Sequence, residues 1–305
     1  MGRPCGTSRR RSGFRLVVSA TDQRGRAAMP DDAASARDRP EPLISYRAMF
    51  DAEVAEATAE LERSWRGLIA SGIIAGACVG TSILLLGMVL SPFEQIPEQP
   101  AFRLLIGMIY AIGFILAILG RGDLFTEYTT IAIFPVLTGA SGLGALLRLW
   151  VLVYAGNLIG GSVLALFAVG LTPALGVADA AAFGAYAQHL AAPGGLVILA
   201  SATLAGWLMG LLSWLIVGGR DTTSQFLFIL VVGVTIGALG LHHSVTGAIG
   251  MIAGVMADPR IAWPDVLHVL WWTAAGNAVG AVVFAALVTL GVRNHRHRTE
   301  PPRGR

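Results

Sequence analysis

The amino-acid sequence predicts an all-α integral membrane protein: six transmembrane helices arranged as two inverted three-helix repeats, with the second and fifth helices broken. Three observations predict it. The 305-residue chain is 54% hydrophobic and 13% charged, against about 25% charged in a typical soluble domain. The deficit is concentrated between Gly67 and Val292, where long stretches hold no charge and so have no water-facing side. Those stretches run whole, broken, whole, and then whole, broken, whole.

Residues 1–45 are rich in Arg, Asp, Ala and Pro without apolar periodicity, and are expected to form a disordered, Arg-rich cytoplasmic tail. The apolar run after Arg9-Arg10-Arg11 is only Leu16-Val17-Val18, too short for the core of a cleaved signal. Over residues 46–66, Met49, Phe50, Val54, Ala57, Leu61 and Trp65 recur at three- and four-residue spacing. Asp51, Glu53, Glu56, Glu60, Glu62 and Arg63 fill the other faces, the pattern of an amphipathic helix leading into the bilayer.

The transmembrane domain covers residues 67–292. A helix needs about 20 apolar residues to cross the hydrocarbon layer. Gly67–Leu90 supplies 24, Leu149–Leu171 supplies 23, Gly194–Gly218 supplies 25 and Val266–Val292 supplies 27. Leu104–Leu119 and Phe226–Leu241 supply only 16 each. The first of these is interrupted by residues 120–128 before resuming, the second by His242-His243-Ser244. Residues 171–193 read as a loop, and 293–305 as a basic cytoplasmic tail.

A repeat supports the pairing of the halves. Ala155-Gly156-Asn157 reappears as Ala275-Gly276-Asn277, 120 residues on. The same offset carries Asp123 in the first interruption onto His243 in the second. Three crossings per unit invert the second copy in the membrane, a known transporter layout. All 22 basic residues are arginine, twelve from Arg3 to Arg66 and five from Arg293 to Arg305. By the positive-inside rule both termini are cytoplasmic, in a multi-pass plasma (inner) membrane protein. A net charge of +3 held in two tails does not make a nucleic-acid surface, and two cysteines make no disulfide framework.

Broken helices in a bilayer must line water or be buried in protein, and ionisable residues at that depth are functional by default. Arg121, Asp123 and Glu127 cluster at the first break, His242 and His243 at the second. Arg121 is most simply the partner that neutralises Asp123 or Glu127. His242 reads as structural, because only one of two adjacent histidines can face a narrow lumen. Asn157 and Asn277 read as partners for freed helix backbone. No HExxH, GxSxG or nucleotide-binding loop is present, so no metal, cofactor or enzymatic activity is expected.

Gly122-Asp123-Leu124-Phe125-Thr126 resembles the Gly-(Glu/Asp)-Leu-Phe-Thr loop of the formate/nitrite transporter family. His243-Ser244-Val245 resembles that family's central histidine motif, and Asn157 and Asn277 are similar to positions of its third and sixth spans. The resemblance covers residues 46–292. It implies a homopentamer in the lipid bilayer, each protomer carrying a pore for a small monovalent weak-acid anion such as formate, nitrite or hydrosulfide. Leu124 and Phe125 would form the cytoplasmic-side apolar constriction, Thr126 would hydrogen-bond the anion or the histidine, and His243 would be the central, proton-offering group. Phe114, Ile236 and Ile216 would form the outer constriction.

The sequence departs from the family pattern at Arg121 and Glu127, where small residues are usual, and it lacks lysine altogether. An added carboxylate at a pore break repels anions unless Arg121 cancels it. An aquaporin-like channel for small neutral solutes shares the three-plus-three layout and is the alternative, although paired Asn-Pro-Ala loops are missing.

Overall fold

The computed structural model describes residues 44–299. The expected tail over 1–45 lies almost wholly outside those residues, as does the end of the 293–305 tail. Regular structure among the described residues is entirely helical.

Helix α1 (Tyr46–Glu62) is opened by Ser45, whose hydroxyl accepts the Ala48 N–H at 3.2 Å. It buries Phe50, Glu53, Ala57 and Leu61, one face at three- and four-residue spacing. Glu53 therefore lies on the buried face, not among the polar ones as its charge suggested. Ser64 caps α2 (Trp65–Leu90) through the Gly67 N–H at 3.2 Å.

There follow α3 (Pro100–Leu119), α4 (Phe125–Ile131), α5 (Ile133–Thr138), α6 (Leu143–Ala174), α7 (Ala180–Ala191), α8 (Gly195–Gly218), α9 (Thr222–Ala238), α10 (Ser244–Ala257) and α11 (Trp263–Thr299). Five of these, α2, α3, α6, α8 and α11, are long and apolar enough among the described residues to cross a membrane. The expected loop over 171–193 contains α7, which buries Ala182, Phe183, Tyr186, Ala187 and Leu190 and packs on α10. Its single apolar stripe is too short to stand out in sequence beside the longer spans.

The closest pairings are α2 with α6, α8 with α11, and α3 with α9. They depend on glycine. A Cβ on Gly76 would strike the Asn157 carbonyl, and one on Gly206 the Asn277 carbonyl. Such close backbone approach stands in for the hydrophobic drive that lipid does not supply.

The two breaks use one turn. After α3 the chain passes through Arg121 in the left-handed region, φ 58°, and after α9 through Gly240, φ 64°. The Gly122 N–H reaches back to Ala117 O at 2.9 Å, and the Leu241 N–H to Ile236 O at 3.0 Å, so each matched pair is 119 residues apart. The offset of 120 thus does not extend from the asparagines into the breaks. Asp123 corresponds to His242, and Leu124 to His243. The second half has one residue more between its break and its asparagine, absorbed without disturbing the turn.

Candidate functional site

The backbone groups freed at each break are held by a serine and an asparagine. Ser71 Oγ accepts the Asp123 N–H at 3.1 Å, and Ser201 Oγ accepts the His242 N–H at 3.0 Å. Asn157 Nδ2 donates to Gly72 O and Asp123 O, both at 2.8 Å, while its Oδ1 accepts the Phe125 N–H at 2.8 Å. Asn277 repeats this with Ala202 O at 2.8 Å, His242 O at 3.2 Å and the Ser244 N–H at 2.8 Å. Both asparagines are fully buried. A buried polar group without such partners costs about 1–3 kcal/mol, so each asparagine is what makes its break tolerable away from water.

Between the clamps, α4 and α10 begin close together. His243 is the N-cap of α10, with Nδ1 accepting the Thr246 N–H at 3.4 Å. Its Nε2 lies 2.8 Å from Thr126 Oγ1. With Nδ1 occupied as an acceptor, the proton of the neutral ring sits on Nε2 and is donated to the threonine oxygen. The hydroxyl hydrogen of Thr126 is then left for a second acceptor. The Phe114 ring lies 4.8 Å and the Tyr110 ring 6.4 Å from the imidazole, centroid to centroid. Leu124 is fully buried beside Thr126, and Phe125 stacks on Tyr154 at 4.5 Å.

Two cavities approach this centre from opposite ends of α3 and α9. The larger, about 460 Å³, is lined by Arg103, Ile106 and Tyr110 of α3, by Tyr186 and His189 of α7, and by Ile236. The smaller, about 210 Å³, lies beneath α1 and is lined by Glu53, Glu56, Glu60, Arg63, Asp123 and Glu127, with Arg121 and Ile216 at its wall. Ile236 and Ile216 therefore border different cavities. The antiparallel course of α8 and α9 brings the C-terminal end of α8 to the N-terminal end of α9, where Gln225 Nε2 donates to Ile216 O at 3.2 Å. Ile216 belongs to the α1 side and cannot share a ring with Ile236.

The charged residues at the first break are also arranged differently from the expectation. Asp123 pairs with Arg63, not Arg121, at 2.9 Å, and Arg63 also holds Glu60 at 2.6 Å. Arg121, in the left-handed turn, is exposed, and its charge acts on Glu56 and on Glu127, the second of the two partners expected for it. Burial, with help from Glu56 and Glu127, pushes the Glu53 carboxyl up to about 8, opposed by a hydrogen bond with Ser213. Burial also raises Glu56. His242 has both ring nitrogens engaged, Nδ1 with Ser201 Oγ at 3.0 Å and Nε2 with Leu190 O at 3.1 Å. It ties α7 to the second break.

Sequence reasoning missed Ser71, Ser201 and Arg63. The serines had a signal: Ser71-x-x-x-Ala75-Gly76 reappears as Ser201-x-x-x-Ala205-Gly206, offset by 130. Arg63 had none, since its partner lies 60 residues away.

The chain matches the family model described as formate/nitrite transporter over residues 47–291. It is 29% identical over 242 residues to the inner membrane protein YfdC of Escherichia coli (strain K12), covering 77% of this chain and 75% of that one. It is 27% identical over 227 residues to the nitrite transporter NirC of Salmonella typhimurium (strain LT2), covering 72% and 81%. Among solved structures it resembles an FNT family ion channel, with a TM-score of 0.70 at 23% identity, covering 80% of this chain and 98% of that one. It also resembles a pentameric formate channel with formate bound, with a TM-score of 0.65 at 20% identity, covering 75% and 98%. The match across nearly all of the described helices, with the motif residues gathered at the paired breaks, makes this chain a multi-pass membrane protein of the formate/nitrite transporter family, a transporter and not an enzyme.

Proposed function

We propose that the protein conducts a small monovalent anion of a weak acid, of the formate, nitrite or hydrosulfide type, past the His243–Thr126 pair. One observation carries the reading. The cavities at the two ends of α3 and α9 are separated by buried apolar side chains, and among these an imidazole and a hydroxyl lie 2.8 Å apart. In this reading Leu124 and Phe125 form the apolar constriction on the α1 side of that pair, and Phe114 and Ile236 the one on the other. A nitrite transporter among its relatives and a formate-bound channel among its structural neighbours agree with it.

In this reading the two halves are inverted repeats giving six crossings, with α3–α5 and α9–α10 as the broken spans. The α1 side is cytoplasmic, both termini are inside the cell membrane, and five copies assemble, each with its own path. A bare anion among apolar walls is heavily penalised. Nε2–H of His243 and the Thr126 hydroxyl offer it hydrogen bonds, and α10 presents its N-terminal end. For proton coupling the ring must first be protonated on both nitrogens. It then gives the Nε2 proton to the anion, which moves on as the neutral acid, and Nδ1–H rearranges to the Nε2–H form. Protonating Nδ1 breaks the N-cap bond to Thr246, so the neutral ring is the resting state.

The test is flux of formate, nitrite, hydrosulfide and lactate into proteoliposomes at two pH values, for the wild type and for His243→Asn. The variant should fold and show altered rate or pH dependence. Unchanged transport and unchanged pH dependence would sink the mechanism. The carboxylate-rich cavity beneath α1 favours a second reading, conduction of small neutral solutes. Stopped-flow swelling with glycerol against uptake of formate separates the two.

A further inference from the structure

Proton coupling through His243 needs a proton to arrive at the ring. Nε2 faces Thr126 and the path of the anion, so replenishment falls to Nδ1. Two donors of Thr246 approach that nitrogen, the backbone N–H and the side-chain hydroxyl, each at 3.4 Å. They are not equivalent. An N–H can only donate, so its contact is lost once Nδ1 carries a proton. A hydroxyl can turn round and accept, so Thr246 Oγ1 serves both states of the ring.

That hydroxyl has a second neighbour. Thr246 is buried, and its side chain hydrogen-bonds with that of Tyr110 on α3, whose ring stands edge-on to the imidazole with centroids 6.4 Å apart. Tyr110 lines the cavity of about 460 Å³, whereas His243 and Thr246 are not among its lining residues. The tyrosine is therefore the link between the cavity and a histidine set behind it. Its ring alone supplies the packing, edge-on against Phe114 at 5.3 Å. The phenolic oxygen adds only a polar handle, which a buried tyrosine keeps where it has a partner to use it.

We propose that the Tyr110 and Thr246 hydroxyls relay protons from this cavity to Nδ1 of His243. The proposal rests on the transport reading above, in which the cavity opens outside the cell. A hydronium in the cavity gives a proton to the Tyr110 oxygen and becomes water. Tyr110 passes its own hydrogen to Thr246 Oγ1, and Thr246 passes its hydrogen to Nδ1. Each hydroxyl gains one proton as it loses one, and the imidazole becomes the imidazolium that gives its Nε2 proton to the anion. Thr246 Oγ1 meanwhile accepts from Nδ1–H. Around the cavity, Glu94 and Glu98 draw protons to its mouth against Arg103 and His189, and Tyr186 lies beside Tyr110. Next to the ring, Tyr154 reaches Ser244 O at 3.4 Å and His242 is held by Ser201 and Leu190.

Formate uptake and internal acidification are recorded together in proteoliposomes between pH 5 and pH 7 for the wild type, Tyr110→Phe, Thr246→Val and Thr246→Ser. The two variants without a hydroxyl should lose proton-coupled uptake at pH 7 by at least about tenfold. The loss should shrink towards pH 5, where more formate enters already as the neutral acid, and Thr246→Ser should restore the wild-type profile. A hydroxyl-free variant with the wild-type rate and pH profile would overturn the relay, and so would a wild type that moves formate without protons. In both cases anion conduction past His243 stands. No wild-type uptake at all would overturn the transport reading, and the relay with it. Where Thr246→Val does not fold, Tyr110→Phe, which deletes a single oxygen, carries the test. Nitrogen-15 NMR of the purified full-length protein with labelled histidine reads the ring directly. The His243 Nδ1 resonance, identified by its loss in His243→Asn, should move in Thr246→Val and stay in Thr246→Ser, and an unmoved resonance in Thr246→Val would count against the relay as heavily as unchanged flux.

Discussion

The two breaks share a scaffold and differ in almost everything attached to it. In both, a left-handed residue ends one helix, a serine hydroxyl accepts the next freed N–H, and a buried asparagine bridges the gap with three hydrogen bonds. On this frame the first break carries Arg121, Asp123 and Glu127 and faces a carboxylate-lined cavity. The second carries Gly240, His242 and His243 in the corresponding stretch. Where one break has Leu124, the other has the central imidazole. Backbone satisfaction tolerates no variation between the halves, whereas the side chains set on it are free to diverge.

That contrast can be attacked at its strongest point. Asn157→Ala and Asn277→Ala each leave two buried backbone groups at the break unpaired, Asp123 O with Phe125 N–H and His242 O with Ser244 N–H, at about 1–3 kcal/mol per group. Both variants should lose most of their stability or fail to accumulate, to a similar extent. A well-folded variant at one site only would show that the clamps are not equivalent.

The next effect is confined to the first break. Arg63→Gln strips the partner from Asp123, whose side chain is 3% exposed. Because Arg63 itself is one-third exposed, at 34%, the loss should be about 2 kcal/mol, below the 3–5 kcal/mol typical of a fully buried broken pair. Melting of Arg63→Gln against Arg63→Gln/Asp123→Asn checks it, since the second change should restore much of the loss.

A graded, pH-dependent effect belongs to Glu53. Its carboxyl is raised in the folded protein from an ordinary 4.5 to about 8. The folded state therefore holds a proton that the unfolded chain releases, and wild-type stability falls as pH rises from about 4.5 towards 8. Glu53→Gln should match the wild type near pH 4 and exceed it increasingly towards pH 8.5, by several kcal/mol at ~1.4 kcal/mol per pH unit of displacement. A constant difference across that window would mean that Glu53 ionises normally.

The smallest effect compares the two turns. A Cβ at Gly240 meets nothing within 4 Å, so Gly240→Ala tests backbone conformation alone and should cost ~1 kcal/mol. Arg121→Gly should recover a similar amount from strain, less whatever its guanidinium contributes beside Glu56. Chemical or thermal melts of both in one detergent make the comparison.

Much of this organisation is legible in the residues. The apolar runs and their two interruptions mark the helices that span and those that break. The repeated Ala-Gly-Asn pairs the halves, and Asp123-Leu124-Phe125-Thr126 and His243 mark the centre. Other features were hidden for identifiable reasons. The repeat has three offsets, 130 for the serines, 119 for the turns and 120 for the asparagines, so a search at one offset finds only one set. Glu53 looks like a surface residue of an amphipathic helix until α1 is seen lying over a cavity. Arg121 sits two residues from Asp123 yet is not its partner, because Arg63, 60 residues away, holds that carboxylate.

What the sequence determined alone is the class of protein and the places where its helices stop. Apolar length against bilayer thickness, and glycine and charge against the cost of burying them, are local quantities. Which charge meets which was decided only by the tertiary structure. Arg63 reaching Asp123, Thr126 reaching His243 and Ile216 falling on the opposite side from Ile236 all depend on how antiparallel helices far apart in the chain are laid together. Pairing across such distances is a property of packing, and no window of residues contains it.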